Sequence, residues 1–284
     1  MNSRIVALLT DFGCRDGYTG IMKGVILSQD PGIRIIDLTH DIDPHDLISG
    51  AYILYTAWDH FPQGTAFCAV VDPGVGSDRG ALLAEINDRY LIAPDNGLIS
   101  LLIRMIPSTA AYALRTDAIL EVQSGARSAS WTTLAQRPSL SRTFHGRDLF
   151  APAAALCATG DSQRIRGNPI QPVLLPAVVP EQYHRGLRGQ ILHVDRFGNC
   201  ISSLHRTDLD KVRGNQGRDG GITIQAGSFQ EHIIRKTYAE VAIGAPLCLI
   251  GSSGFLEIAI REGSAAKIFG FTPGQSLTVT SYES

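Results

Sequence analysis

The stretch AVVDPGVGSDRG, residues 69–80, ends a short apolar run on a carboxylate, Asp72, and then breaks into a glycine-rich turn that closes on a guanidinium, Arg79. Held across one tight turn, these two groups are open to two readings: a structural ion pair, or a pair at the mouth of a sheet that orients a water molecule. A third candidate is His145 in SRTFHGRDLFAPAAA, which stands before an alanine-rich helical segment and so is presented from a loop or a helix N-terminus. Imidazole titrates nearest neutral pH and suits proton transfer, although a lone histidine is more often a structural group. Familiar loops do not fit. GVGSDRG misses the dinucleotide spacing GxGxxG by one residue, and neither the phosphate-loop motif, GxSxG nor HExxH occurs. The turn THDIDPHD, with His40 and His45, imitates a metal-binding spacing, but a helix start capped by an aspartate fits it as well and is preferred. Neither a metal nor a cofactor is expected.

These groups need elements to position them. From Arg4 to about Gly160, strand-like runs (RIVALLT, IRIIDLT, TAFCAVVD, YLIAP) alternate with helical segments (GYTGIMKGVILSQ, DLISGAYILYTAW, RDLFAPAAALCAT). That alternation predicts an α/β/α domain around a mostly parallel sheet over residues 1–168. The expected strands run into Thr10-Asp11, Thr39-His40, Asp72-Pro73-Gly74 and Asp95-Asn96-Gly97. Asp, Asn and Gly are good turn formers, yet their recurrence at strand ends suggests a shared polar site at the carboxyl edge of the sheet. A proline-rich linker is expected over 169–186. Beyond it, runs such as GQILHVDRFGNCISSL, GITIQAG and FLEIAIR predict a smaller β-barrel-like domain over 187–284, with no convincing helix. The stretch 123–139, which contains Trp131, reads as a surface loop.

Composition narrows the function. The 284 residues are 44% hydrophobic and 18% charged, with a formal net charge of −2 and no long basic run. Nucleic acid and membrane partners therefore lack the electrostatic footprint they need. The apolar run at the N-terminus is too short for a signal-peptide core, so a cytoplasmic location is expected. Five scattered cysteines without a CxxC pair read as reduced thiols, mostly in the core.

TDFG with DGYTGIMKG, IIDLTHDIDPHD, VVDPGVG with its following arginine, APDNGL, TFHGRD, VDRFGN and GSSGFLEIA fall in this order over nearly the whole chain. Together they resemble the S-adenosyl-L-methionine hydroxide adenosyltransferase family, which is related to fluorinating and chlorinating enzymes that use the same substrate. The resemblance implies attack of water or hydroxide on C5′ of S-adenosyl-L-methionine, giving adenosine and L-methionine. It also implies an α/β domain and a β-rich domain, and a homotrimer with the substrate between neighbouring subunits. Asp72, Arg79 and His145 match the set that prepares the water, with the proton acceptor open between Asp72 and His145. Asp11 matches the group that accepts from the ribose hydroxyls, and Phe197 and Tyr238 the aromatic residues that sandwich the adenine. Asp195 and Ser252 match the groups that hold the methionine ammonium and carboxylate, and Asn199 the contact to the adenine edge. Asp16 and Asn96 have supporting places.

This chain departs from the halogenating relatives at Ser253, where they carry arginine, and at His45, where they carry an aromatic lid residue. They also lack the Asp and His found here at 72 and 145. An anionic Asp72 repels a halide and accepts a water hydrogen, which favours hydrolysis. The alternatives are a halogenase on the same scaffold, a metal-dependent nucleoside hydrolase, which the DPG turn supplies with too few oxygen ligands, and a non-catalytic sensor of S-adenosyl-L-methionine or adenosine.

Overall fold

The apolar run at Ile5–Thr10 forms a strand (β1) that is buried at every position, as a central strand covered on both faces must be. A computed structural model describes residues 4–127, 140–214 and 221–282 and divides the chain between Leu174 and Leu175, within the proline-rich stretch. After β1 come helix α1 (Tyr18–Gln29), strand β2 (Arg34–Thr39), helix α2 (Leu47–Trp58) and strand β3 (Ala66–Val70). Asp46 caps α2, its carboxylate accepting from the amides of Ile48 and Ser49, so the aspartate of THDIDPHD does start a helix. His40 is used structurally: its Nδ1 lies 2.9 Å from Thr10 Oγ1 and its Nε2 lies 3.2 Å from Asp37 Oδ1.

Strands β4 (Ala81–Ile86) and β5 (Arg89–Pro94) then form a hairpin. Its two loop residues, Asn87 and Asp88, have φ of 48° and 59°, the left-handed pair that matches the twist of a two-residue hairpin. Helix α3 (Ser100–Met105), strand β6 (Ala110–Leu114), helix α4 (Thr116–Arg127), a π-helical turn at Gly146–Phe150, helix α5 (Ala151–Thr159), helix α6 (Ser162–Ile165) and strand β7 (Arg166–Pro169) complete this unit. Residues 123–127 are thus helical rather than loop, and the remainder of 123–139, Trp131 included, lies outside the described residues.

The sheet order is β2-β1-β3-β5-β4-β6-β7. The pairs β1–β2, β1–β3 and β3–β5 are parallel, while β4 and β7 run against their neighbours. Alanine-rich α5 is buried almost throughout and ends on Gly160 in the left-handed conformation. It belongs to the core cluster on one face with Val6, Leu8, Met22, Ile26, Cys68 and Val70. The opposite face buries Leu9, Leu54, Trp58, Phe67 and Leu91.

The second unit holds strands β8 (Glu181–Tyr183), β9 (Gly186–Val194) and β10 (Cys200–His205), helix α7 (Arg206–Gly214), strands β11 (Gly221–Ala226), β12 (Phe229–Glu231), β13 (Ile234–Arg235), β14 (Pro246–Ile250) and β15 (Phe255–Ile260), helix α8 (Ala265–Phe269) and strand β16 (Ser276–Tyr282). The sheet runs β12-β11-β16-β9-β10-β15-β14-β13, with β8 against β9, and curls into a nearly closed barrel. Helices α7 and α8 were not expected; both are short, and the sequence of α7, RTDLDKVRG, is mostly polar. All five cysteines are unpaired thiols, and only Cys14 is exposed.

Candidate active site

Strand order decides where the first unit can bind. Because β1, β2, β3 and β5 are parallel, the strand ends chosen from sequence lie along one edge, and β1 is flanked by β2 and β3, so the order reverses between β1 and β3. A reversal of this kind leaves a crevice beyond the strand ends. Asp11 follows β1 and Asp72 follows β3 at that point, since Thr10 and Val70 are paired in register. The Asn96 amide donates to the Val71 carbonyl at 2.8 Å and ties the β5 end to the residue before Asp72.

The glycine-rich turn brings Arg79 back onto Asp72. Arg79 Nε donates to Asp72 Oδ1 at 2.8 Å, and Nη2 donates to Oδ2 in a closer contact, so the carboxylate is gripped by two parallel bonds. The same Nη2 lies 2.7 Å from His145 Nδ1, and Nη1 donates to the Gly80 carbonyl at 3.2 Å. Both side chains of the ion pair are largely buried, with 11% and 5% of Arg79 and Asp72 exposed. The guanidinium also lies over the Phe150 ring, 5.3 Å from its centroid. The sequence-predicted trio is therefore one connected cluster.

A guanidinium only donates, so its bond to His145 Nδ1 requires a lone pair there. The ring is then the neutral tautomer with its proton on Nε2. His145 is 6% exposed, and burial lowers its pKa below the ordinary 6.5; the charge of Arg79 pushes the same way, against Asp72 and Asp148. Geometry and electrostatics agree on a neutral imidazole.

His145 stands directly before the π-helical turn, and its loop is held by a residue that was not singled out from sequence, Asp148. The Asp148 carboxylate accepts from the Ser141 amide at 2.9 Å and from Arg147 Nε and Nη2 at 2.6 and 2.8 Å, while its carbonyl accepts from Gln123. Its signal was present in the motif TFHGRD. Phe12, Tyr18, Val70, Asp72, Val75, Phe144, His145 and neighbouring loop residues line a hollow of about 300 Å³. The rings of Phe12, Tyr18 and Phe144 stand 5.1–5.9 Å apart along it. Asp11 is not among those lining residues; its Oδ2 accepts from the His45 amide at 2.9 Å, and His45 has a φ of 71°. Asp16 is exposed.

In the second unit, Asp195, Phe197, Asn199 and Tyr238 line one hollow of about 600 Å³ with Ile260, Glu262, Gly263 and Ser264. Asp195 shapes the loop: Oδ1 accepts from the Phe197 and Asn199 amides, and Oδ2 from the Asn199 side chain, each at 2.9 Å. Phe197 is left 76% exposed, an unusual place for a phenylalanine and a flat face for a ligand. Ser252 lines a different hollow of about 500 Å³, with His205, Arg206, Ile250, Gly251, Ser253 and Gly254. Arginine, absent at Ser253, thus reaches this hollow from the start of α7. Sequence reading also missed Glu257, a buried carboxyl on β15 that accepts from the Tyr238 hydroxyl.

A doubly wound sheet with an acid–guanidinium–imidazole cluster at its switch point, followed in the chain by a barrel unit with an aromatic-walled hollow, defines a two-unit α/β protein. Comparison narrows that class. Residues 6–166 match the profile of the S-adenosyl-L-methionine hydroxide adenosyltransferase N-terminal domain, and residues 189–278 match the C-terminal domain. A Thermus thermophilus protein named (R)-S-adenosyl-L-methionine hydrolase is 37% identical over 271 residues, 95% of this chain and 97% of that protein. One of the same name from Methanocaldococcus jannaschii is 32% identical, over 93% and 91% of the two chains. A fluorinase of Nocardia brasiliensis is 25% identical, over 97% and 96%. The crystal structure of an uncharacterized conserved protein from Thermotoga maritima superposes with a TM-score of 0.80 at 28% identity, covering 97% of this chain and 99% of that one. The chain belongs to the S-adenosyl-L-methionine hydroxide adenosyltransferase family.

Proposed function

We propose that this protein hydrolyses S-adenosyl-L-methionine to adenosine and L-methionine, with water positioned by Asp72, Arg79 and His145. The observation that carries the reading is the single guanidinium bonded to both Asp72 oxygens and to His145 Nδ1, beside a cavity at the switch point of the sheet. Hydrolase-named relatives over nearly the whole chain support the same reaction.

In that reaction the water oxygen bonds to C5′ as the C5′–S bond breaks, and its electron pair stays on sulfur as a neutral thioether. The site's task is alignment and exclusion of bulk water rather than activation of the leaving group. One proton must leave the attacking oxygen. His145 is a poor acceptor, because its Nδ1 lone pair faces Arg79 and its Nε2 carries hydrogen. Asp72 has lone pairs left after Arg79 is served, and the oxygen becomes strongly acidic as it bonds to carbon, so a carboxylate suffices as base. Arg79 fixes Asp72, and His145 fixes Arg79.

Phe197 and Tyr238 would hold the adenine, with Asn199 at its edge; Asp195 and Ser252 would take the amino-acid end, and Asp11 the ribose hydroxyls. The catalytic cluster and the aromatic wall lie in different units, each carrying part of what the substrate needs. Their assembly between neighbouring subunits of a homotrimer is part of this proposal.

The test is to incubate purified protein with S-adenosyl-L-methionine, with and without chloride or fluoride, and separate the products by chromatography. Adenosine and methionine in equal amounts, indifferent to halide, are expected. A halogenated nucleoside would replace this reading with the halogenase, and intact substrate bound to protein would replace it with a sensor.

A further inference from the structure

The turn that carries Tyr238 has little packing of its own. It is a single three-residue turn, Tyr238–Glu240, with no buried residue, and its N-cap is the Thr237 hydroxyl accepting from Ala239. Such a segment is ordered by whatever ties it down. Two side chains from β15 and its end reach it. Glu257 accepts from the Tyr238 hydroxyl, and Arg261 Nη1 donates to the Val241 carbonyl at 2.8 Å and to the Ala239 carbonyl at 3.5 Å. Residues 257 and 261 are an even number apart, so an extended chain puts both on one face of the sheet.

Glu257 is an unexpected occupant of that strand. All six positions of β15 are buried, and Glu257, paired across the ladders with Ile201 and Leu249, is 7% exposed. Burying a carboxyl there is unfavourable unless the group has a partner. Among the described residues no lysine or arginine pairs with it; the partner is the Tyr238 phenol. Space is reserved for the group: a Cβ added at Gly251 would stand 2.7 Å from Glu257 Oε2. Burial raises its pKa, the bond from Tyr238 opposes that rise, and the nearby charge of Asp195 adds to it.

We propose that Glu257 is a positioning residue for the nucleoside, holding the Tyr238 ring through its hydroxyl as a fixed wall of the hollow that Phe197 shares. The proposal rests on reading that hollow as the adenine half of the site. A ring hung by its polar end keeps its flat face available and loses little freedom when a base stacks on it. Tyr238 is 38% exposed on a turn with no buried residue, and the chain beside it is held at Val241, which packs on the cluster of Leu247, Leu249 and Ala259.

The test combines amide hydrogen exchange of residues 236–241 in the free protein with the kinetics of S-adenosyl-L-methionine hydrolysis, for Glu257→Ala, Tyr238→Phe, the double variant and Glu257→Gln. Faster exchange is expected in the first three, with KM raised about tenfold and kcat within about twofold of wild type. The double variant should be no worse than Glu257→Ala, because the two groups act as one unit. Glu257→Gln keeps an acceptor oxygen for the phenol and should restore both readouts. Unchanged exchange in Glu257→Ala, additive losses, or a glutamine variant as damaged as the alanine one would overturn the proposal. A wild type that leaves S-adenosyl-L-methionine intact would sink the hydrolase reading, while the exchange data alone would still decide whether Glu257 anchors the turn.

Discussion

Arg79 makes four hydrogen bonds from one guanidinium, two to Asp72, one to His145 and one to the Gly80 carbonyl. A lysine offers one compact charge and no planar fork, so Arg79→Lys should lower kcat by about 10²-fold or more with little change in KM, measured by steady-state kinetics. His145 gives a pH prediction with a definite sign. Its pKa is depressed in the folded protein, mainly by burial, so the unfolded chain takes up its proton first as pH falls. The stability it contributes is complete above the ordinary 6.5 and is lost as pH drops from there toward the lowered folded value. Activity should fall on the acid side as well, centred on the lowered folded value, because an imidazolium turns an N–H toward Arg79 and breaks the cluster; His145→Asn should flatten the acid limb of the stability profile in a pH series of thermal melts. At this scale the sequence was informative where a polar group ended an apolar run, as at Asp72. Glu257 was hidden for the opposite reason: every residue of FLEIAI is buried, so no alternation marked its carboxyl as facing anything.

The turn between β3 and β4 is the element on which the cluster depends. Gly76 has a φ of 79°, and a Cβ there would lie 2.2 Å from the Arg142 carbonyl oxygen. Gly76→Ala must therefore shift the turn, or the loop that leads to His145, with a cost of more than about 2 kcal/mol. The measured outcome should be a melting temperature lower by several degrees together with a fall in kcat. Asp46→Ala, which removes the cap of α2 away from the cluster, should cost about 1 kcal/mol in denaturant unfolding and leave kcat nearly unchanged. The parallel strands and their helices were legible because long apolar runs alternated with helical periods. Strands β4 and β6 were not: ALLAEI and AAYAL are short, and their place is fixed by antiparallel pairing with each other and with β5, which is a tertiary fact. The helix at 206–214 escaped because its charged sequence lacks an apolar stripe of useful length.

At the scale of the whole molecule, the change from alternating α/β to β-rich sequence was legible, and the chain divides within its proline-rich stretch. That stretch is not featureless, since it holds a 3₁₀ turn at Pro176–Val178 and the short strand β8. Pairing of half-sites between subunits leaves no local pattern in one chain. If it occurs, co-expressing Asp72→Ala with Asp195→Ala chains should restore roughly a quarter of wild-type activity, because mixed trimers contain some sites with both halves intact; mixtures with no recovery would exclude shared sites. No helix among the described residues is long and apolar enough to cross a membrane. The most direct measurement follows S-adenosyl-L-methionine in ¹⁸O-labelled water by mass spectrometry, with Asp72→Ala in parallel. The account predicts ¹⁸O in the 5′-hydroxyl of adenosine at the rate methionine appears, with both products lost in the variant. Unlabelled adenosine, or full turnover by Asp72→Ala, would contradict it.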